Sequence, residues 1–145
     1  FIVLLVLMFV CRFVPDQRIL LLPLFIGLAL MTALGAGLLI AALNVKYRDF
    51  RYIIPFIVQF GLYVSPVAFA SSDVLTHPRI PEFVKVLYTL NPVVGVIDGF
   101  RWCLLGGQVD LYLPGFLTSV GISVVLLIVG IRYFRNTERS FADVI

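Results

Sequence analysis

Residues 44–52 read NVKYRDFRY, a short polar segment that separates two long apolar segments. The apolar segment before it, residues 19–43, contains no charged side chain, and neither does the one after it, residues 52–72. A helix rises about 1.5 Å per residue and needs about 20 apolar residues to cross the hydrocarbon core of a bilayer. The pattern therefore predicts two transmembrane helices joined by a polar turn.

The composition of the whole chain supports a membrane protein. Hydrophobic residues make up 61% of the 145 residues and charged residues 13%, whereas about a quarter of the residues of a soluble domain are charged. The mean hydropathy is +1.09. A soluble fold of this length cannot bury so much apolar surface, so the soluble class is excluded.

Two further apolar segments complete the predicted set of spans. Residues 111–131 are uncharged, and residues 1–11 form an apolar run that begins without a methionine. We expect residues 1–11 to be the last part of a longer span. Only helices and closed barrels satisfy their backbone in lipid, and these runs are continuous rather than alternating. The predicted fold is an all-α integral membrane protein, a polytopic helical bundle.

The distribution of charge predicts the orientation of the bundle. Lysine and arginine accumulate on the cytoplasmic side of membrane proteins. Lysine and arginine are concentrated in residues 44–51 and 132–145, whereas the much longer segment 71–113 contains three cations and four anions. We therefore expect residues 44–51 and 132–145 to be cytoplasmic, and residues 71–113 and the loop Arg12–Arg18 to be external. The net charge of +3 forms no basic stripe of the kind that binds nucleic acid.

The external segment contains two short predicted helices, at about 82–90 and 92–106. Pro81 and Glu82 are typical of a helix start, and Asn91-Pro92 breaks the first helix and can begin the second. Both are too short to span and are apolar enough for an interfacial or re-entrant position. Asp98 and Arg101 are spaced to pair along the second helix. They are either a functional pair near the membrane or an ordinary surface ion pair.

Small residues recur every fourth position in the segment 19–43, at Ala29, Ala33, Gly37 and Ala41. Such a ladder lets another helix approach closely. It predicts either packing within the chain or a contact between subunits.

The sequence shows no site for catalysis or metal binding. It lacks the GxxxxGK[ST] phosphate loop, and Cys11 and Cys103 have no metal-ligand spacing. The lone histidine, His77, lies in a Thr-His-Pro loop and is interpreted as a solvated loop residue. A membrane enzyme such as an acyltransferase usually needs a histidine, a carboxylate pair or a metal. We therefore predict a protein that is not an enzyme and holds no cofactor.

Three sequence elements, in order, resemble one family. These are the YRD-x-RY and SPV elements in LNVKYRDFRYIIPFIVQFGLYVSPVAF, and the NP-x-x-G-x-x-x-GFRW element in LYTLNPVVGVIDGFRWCLLGG. They resemble permease subunits of ABC-2 type exporters, and most closely those that export lipid-linked O-antigen, capsule or teichoic-acid chains. The resemblance covers about residue 15 to the end of the chain.

The resemblance implies a six-span permease of the bacterial cytoplasmic (inner) membrane. Such permeases work as homodimers with two separate ATP-binding subunits, which bind the ATP. Residues 1–145 would be the C-terminal portion of this transmembrane domain. The expected function is export of a lipid-linked polysaccharide; the alternative is export of a drug, lipid or other small hydrophobic molecule.

The resemblance also assigns roles to residues. Cytoplasmic gating or coupling is expected of Tyr47, Arg48, Asp49 and Arg51, although the cations alone would also serve to fix the topology. The two short helices would be external gate helices, with Tyr88, Asp98, Arg101 and Trp102 as their candidate residues. Aromatic side chains either line the export path or form an interfacial belt. The candidates for the path are Tyr52, Phe56 and Tyr63.

Overall fold

A computed structural model describes residues 2–12, 17–67, 69, 71–105 and 111–142, and all regular structure in these ranges is helical. The predicted all-α fold is confirmed for this part of the chain. A 3-10 helix at Gln17–Leu21 leads directly into α2. The helices are α1 (Ile2–Val10), α2 (Leu22–Lys46), α3 (Phe50–Val64), α4 (Ser71–Thr76), α5 (Glu82–Thr89), α6 (Pro92–Leu104) and α7 (Leu113–Ala142).

Within the described residues, two single helices are long and apolar enough to cross a membrane. They are Gln17–Lys46, which joins the 3-10 helix to α2, and the Leu113–Glu138 part of α7. α7 has 30 residues and is therefore about 45 Å long, which exceeds the roughly 30 Å hydrocarbon core. The helix of the predicted span 111–131 continues to Ala142, so most of the expected tail is helical.

α2 and α7 pack side by side and run in the same direction. Near their first turns, the ring centroids of Phe25 and Phe116 are 5.5 Å apart. Further along, the hydroxyl oxygens of Thr32 and Ser123 are 2.7 Å apart and form a buried hydrogen bond. At the far end, Lys46 Nζ lies 5.9 Å from the centre of the Tyr133 ring. The polar segment after α2 and the last turns of α7 therefore lie at the same end of the bundle, as the charge pattern predicted. We call this the basic end.

A glycine sets the closest approach of these two helices. A Cβ atom on Gly35 would lie 2.7 Å from the backbone nitrogen of Leu127, so only glycine fits there. The ladder predicted from four-residue spacing is not the face that packs within the chain, because Ala33 and Gly37 are exposed, and its alternative role in a contact between subunits stays a prediction. A helix has about 3.6 residues per turn, so positions four apart drift around it by about 40° per step. The buried residues instead combine spacings of three, four and seven: Phe25, Leu28, Thr32, Gly35 and Ala42.

α6 packs against both long helices at the other end of the bundle. The Phe25 ring of α2 lies directly on Gly99 of α6, and Cys103 is fully buried. α6 begins at Pro92, with the Asn91 side chain accepting a hydrogen bond of 3.1 Å from the backbone of Val93. α5 and α6 meet at an angle of 76°. The two predicted short helices are thus confirmed as elements, at 82–89 and 92–104.

The predicted span 52–72 does not form one helix over its whole length. α3 ends at Val64, and Ser65 has extended backbone angles (φ −87°, ψ 145°). The cause is Pro66, because a proline disfavours helical geometry in the residue before it and has no N–H to donate. The 15 residues of α3 are about 22 Å long, less than the hydrocarbon thickness. Pro55 lies inside α3 without ending it.

Candidate transport gate

The break after α3 creates a short segment that leads into α4, which we call the strap. Its described residues are the non-helical Ser65, Pro66, Val67 and Phe69, together with Ser71, the first residue of α4. A backbone that leaves its helix loses the hydrogen-bond partners that the next turn would supply, and these groups need new partners away from water. Two carbonyls of the strap find them on α6, and the serine side chains of the strap bind α5, α6 and the break between these two helices.

Ser71 joins the strap to both short helices through its side chain. Its hydroxyl donates to Asp98 Oδ1 at 2.7 Å. A serine hydroxyl has one hydrogen, so the contact of 2.9 Å with the Tyr88 hydroxyl has Tyr88 as the donor. Tyr88 is buried, and its ring packs 6.4 Å from that of Phe69. The hydrogen-bonded series Tyr88–Ser71–Asp98 thus gives hydrogen-bond partners to polar side chains of three elements.

The side chain of Arg101 binds backbone carbonyl oxygens of the strap. One terminal nitrogen donates to the carbonyl oxygen of Phe69 at 2.7 Å, and the other lies 3.3 Å from that of Val67. The planar guanidinium presents several donors in a fixed geometry. It therefore replaces the helical hydrogen bonds that these two carbonyls do not make.

Asn91 makes a third connection at the break between α5 and α6. Its side-chain nitrogen donates to Ser65 Oγ at 3.3 Å, and its side-chain oxygen caps α6. One side chain therefore both starts α6 and holds the first residue of the strap.

The structure brings together three of the four predicted gate residues. Asp98 and Arg101 face the strap from the same side of α6, but each binds the strap and they form no direct ion pair with each other. The simple surface ion pair is therefore not what the structure shows. Trp102 faces elsewhere, with the Arg18 guanidinium 4.8 Å from its ring centre. Arg18 lies at the end of the bundle opposite the basic end, as expected for the external loop.

The predicted cytoplasmic residues lie at the turn between α2 and α3. Lys46 Nζ lies 5.5 Å from the Tyr47 ring centre and 5.9 Å from that of Tyr133, so it links the turn to α7. Arg48, Asp49 and Arg51 are exposed. Their side chains form no hydrogen bond or ion pair with other residues in the described part of the chain.

The predicted path residues share one face of α3. At about 100° per residue, Tyr52, Phe56 and Tyr63 lie within about 40° of one another. Their exposed fractions are 74%, 64% and 72%, and no described residue of α3 is buried. Gln59 falls on the same face. This face can offer flat aromatic surfaces together with one amide.

Sequence reasoning missed several members of this site. Ser71 and Ser65 are short polar residues in an uncharged run, and the carbonyls of Val67 and Phe69 have no side-chain signature. The clue that was available is Pro66, since a proline predicts a break whose carbonyls need partners. Lys46 was noted for its charge, but its contact with Tyr133 depends on the register between α2 and α7.

Comparison with known proteins places these features in a family. The sequence model for the ABC-2 type transporter family matches residues 1–105. The chain belongs to the ABC-2 type transporter family. Proteins of this family are membrane subunits of transporters. The match includes α1 to α6 and therefore the strap and the bent α5–α6 pair.

A curated relative agrees with this ABC-2 assignment. The chain is 23% identical over 129 residues to the O-antigen export system permease protein RfbA of Myxococcus xanthus. The similarity covers 89% of this chain and 48% of the relative. The chain therefore spans about half the length of this curated relative.

Proposed function

We propose that this protein is the permease subunit of an ABC exporter that moves a lipid-linked polysaccharide across the bacterial cytoplasmic membrane. The observation that carries the proposal is the similarity to an O-antigen export permease over 89% of the chain, together with the family match. A separate ATP-binding subunit supplies the energy, and two permease chains form the working unit. ATP binds to the partner subunit.

The aromatic face of α3 supports a sugar cargo. Sugar rings have apolar C–H faces that stack on aromatic rings, while their hydroxyls need polar groups nearby. Tyr52, Phe56 and Tyr63 supply exposed rings, and Gln59 supplies a donor and an acceptor on the same face. In the proposed exporter this face lines the path of the glycan.

The two ends of the bundle have different roles in this proposal. The turn at Tyr47, Arg48, Asp49 and Arg51 faces the cytoplasm and couples the permease to movements of the ATP-binding subunits. Its exposed side chains leave it accessible to a partner. At the other end, the bent α5–α6 pair closes the external side of the path, with Tyr88, Asp98 and Arg101 bound to the strap.

Depletion of the permease tests this function. Cells depleted of the protein should lose surface polysaccharide and accumulate its lipid-linked precursor inside, and the tagged permease should co-purify with an ATP-binding subunit. Unchanged surface polysaccharide, with altered resistance to a drug or altered lipid distribution, would favour the alternative of a small hydrophobic cargo.

A further inference from the structure

We propose that Gly95 and Gly99 are positioning residues of the external gate, because they seat α6 at one rotation and one distance between α2 and α7. They are the two glycines of the NP-x-x-G-x-x-x-GFRW element, and the function proposed above gives them no role. The inference rests on that function, since the rotation of α6 decides where the gate residues Asp98 and Arg101 point. We call Gly95, Gly99 and the side chains that meet them the α6 seat.

Gly95 lets α6 lie close to the backbone of α7. A Cβ atom on Gly95 would collide with the Cβ and Oγ atoms of Ser119. Ser119 is fully buried, and its Cβ is bonded to the backbone of α7, so it cannot turn aside. Its hydroxyl has no hydrogen-bond partner among the described residues, so the contact depends on shape and not on polar bonding. A methyl group at position 95 would therefore push the two helices apart.

Gly99 makes the matching contact with α2. A Cβ atom there would collide with the ring of Phe25. A flexible side chain could swing away, but Phe25 is only 3% exposed. The ring centroid of Phe116 on α7 lies 5.5 Å from that of Phe25, and the ring centroid of Phe100 on α6 lies 6.4 Å from it. Because the ring is enclosed in this way, a methyl group at position 99 would displace α6 instead.

The spacing of the two glycines lets one helix meet two partners. Positions four apart lie about 40° apart around a helix, and small residues at this spacing allow helix backbones to approach closely. Here one glycine meets α7 and the other meets α2. Positions 94, 96, 98 and 100 all carry larger side chains, so a rotation of α6 by one residue would bring one of them into the seat. The seat therefore accepts α6 at one rotation.

This rotation directs the polar side of α6. Asp98 and Arg101 lie about 60° apart around α6 and about 110° from the middle of the glycine face. In this position Asp98 accepts the hydrogen bond of 2.7 Å from Ser71, whose hydroxyl lies 2.9 Å from that of Tyr88 on α5. A contact stretched to about 3.6 Å is no longer a hydrogen bond. A displacement of α6 by about 1 Å would therefore disrupt the series that ties it to α5.

Trp102 reports the position of α6 independently of the cargo. It is the one tryptophan of the 145 residues, and the Arg18 guanidinium lies 4.8 Å from its ring centre. In the full-length permease with its ATP-binding partner, its fluorescence is isolated by subtracting the spectrum of the same protein carrying Trp102→Phe. We expect Gly95→Ala and Gly99→Ala to shift the emission maximum. Gly121→Ala is the matched control and should not, because its added methyl group would meet nothing within 4 Å.

A compensating substitution on α2 separates positioning from a loss of stability. We expect Gly99→Ala to lower the ratio of glycan exported to ATP hydrolysed several-fold at equal amounts of complex. Phe25→Val removes the ring atoms that the methyl group would meet, so the Gly99→Ala/Phe25→Val pair should recover most of the ratio and the parent Trp102 spectrum. Phe25→Val alone is the matched control, since it leaves a cavity without a collision, and its ratio should stay normal.

A second pair of substitutions tests the contact with α7. We expect Gly95→Ala to lower the same ratio, and we expect Ser119→Gly to restore it, because the double variant only moves a side chain from α7 to α6. Ser119→Ala removes nothing but the hydroxyl without a partner and should therefore leave the ratio unchanged. A loss in Ser119→Ala equal to that in Gly95→Ala would contradict a contact of shape.

The results distinguish a seat from ordinary packing. An unshifted Trp102 spectrum or a normal ratio in Gly99→Ala would overturn the inference, and so would an equal loss in Phe25→Val alone. If an alanine variant does not accumulate in the membrane, recovery in its paired variant supports the seat and failure to recover overturns it. If the Trp102 spectrum shifts and returns as expected but the parent protein exports no glycan, the proposed cargo is wrong and the seat stands.

Discussion

Single residues decide how closely the helices of this bundle approach. Gly35 and Gly37 lie two positions apart in α2, yet a Cβ on Gly35 would meet the backbone of α7 at 2.7 Å, whereas one on Gly37 would meet nothing within 4 Å. Close approach between membrane helices depends on small residues, because lipid supplies no hydrophobic force between them. The two glycines are chemically identical, but only Gly35 is needed for the close approach of α2 and α7.

Replacing each of these glycines by alanine tests the difference between a packed and an exposed position. We expect Gly35→Ala to destabilise the protein by about 1–3 kcal/mol, the usual cost of adding a methyl group to a well-packed interior. The added methyl group would force the backbone of α7 to move, because no flexible side chain is there to make room. Gly37→Ala should leave stability unchanged or raise it slightly, since alanine favours the helix. Thermal unfolding in detergent measures both. A Gly35→Ala variant as stable as Gly37→Ala would show that α2 and α7 are not packed through this position.

At the scale of elements, α3 differs from its neighbours. α2 and α7 are held along their length, while α3 is held at its two ends and exposes its sides. Its length is set by Pro66, which ends the helix before it could cross a membrane unaided. The element that carries the aromatic face is thus less closely packed within this chain than α2, α6 and α7.

Neighbouring residues of α3 test the role of its aromatic face. Phe56 and Ile57 are both exposed and lie about 100° apart around the helix, so only Phe56 is on the aromatic face. We expect Phe56→Ala to reduce surface polysaccharide several-fold at matched permease levels, because a stacking surface is lost. Ile57→Ala should have little effect. Equal effects of the two substitutions would indicate that this face contacts lipid rather than glycan.

At the scale of the whole molecule, the parallel course of α2 and α7 gives the bundle two distinct ends. The basic end holds Lys46, Arg48, Arg51, Arg132 and Arg135, whereas the strap and the bent α5–α6 pair lie at the other. Positive residues mark the cytoplasmic side. The architecture therefore predicts on which side of the membrane each end lies.

Cysteine labelling tests this orientation. In a Cys11→Ser background we expect Asp73→Cys to react with a membrane-impermeant maleimide in intact spheroplasts, and Asp49→Cys to react only after permeabilisation. Both aspartates are exposed, so accessibility within the protein is matched. Cys103, which is fully buried, should remain unlabelled in both. Labelling of Asp49→Cys in intact spheroplasts would reverse the orientation.

The sequence predicted those features that depend on local composition. The charges in residues 44–52 placed the junction between α2 and α3, and Asn91-Pro92 placed the bend between α5 and α6. It did not predict the end of α3, because Pro55 and Pro66 are both visible in the run but only the second ends the helix, and a proline can either kink a membrane helix or end it. It identified Arg101 but not its partners, because backbone carbonyls carry no sequence signal. The packing face of α2 was missed because regular four-residue spacing drifts off one face of a helix.

Transport by purified components tests the central claim most directly. The full-length permease and its ATP-binding subunit are reconstituted into liposomes that contain the lipid-linked polysaccharide, and the glycan exposed on the far side of the bilayer is measured with a lectin. The account predicts glycan exposure that requires ATP and both subunits together. ATP hydrolysis without any glycan movement, in liposomes where a drug or lipid is transported instead, would contradict it.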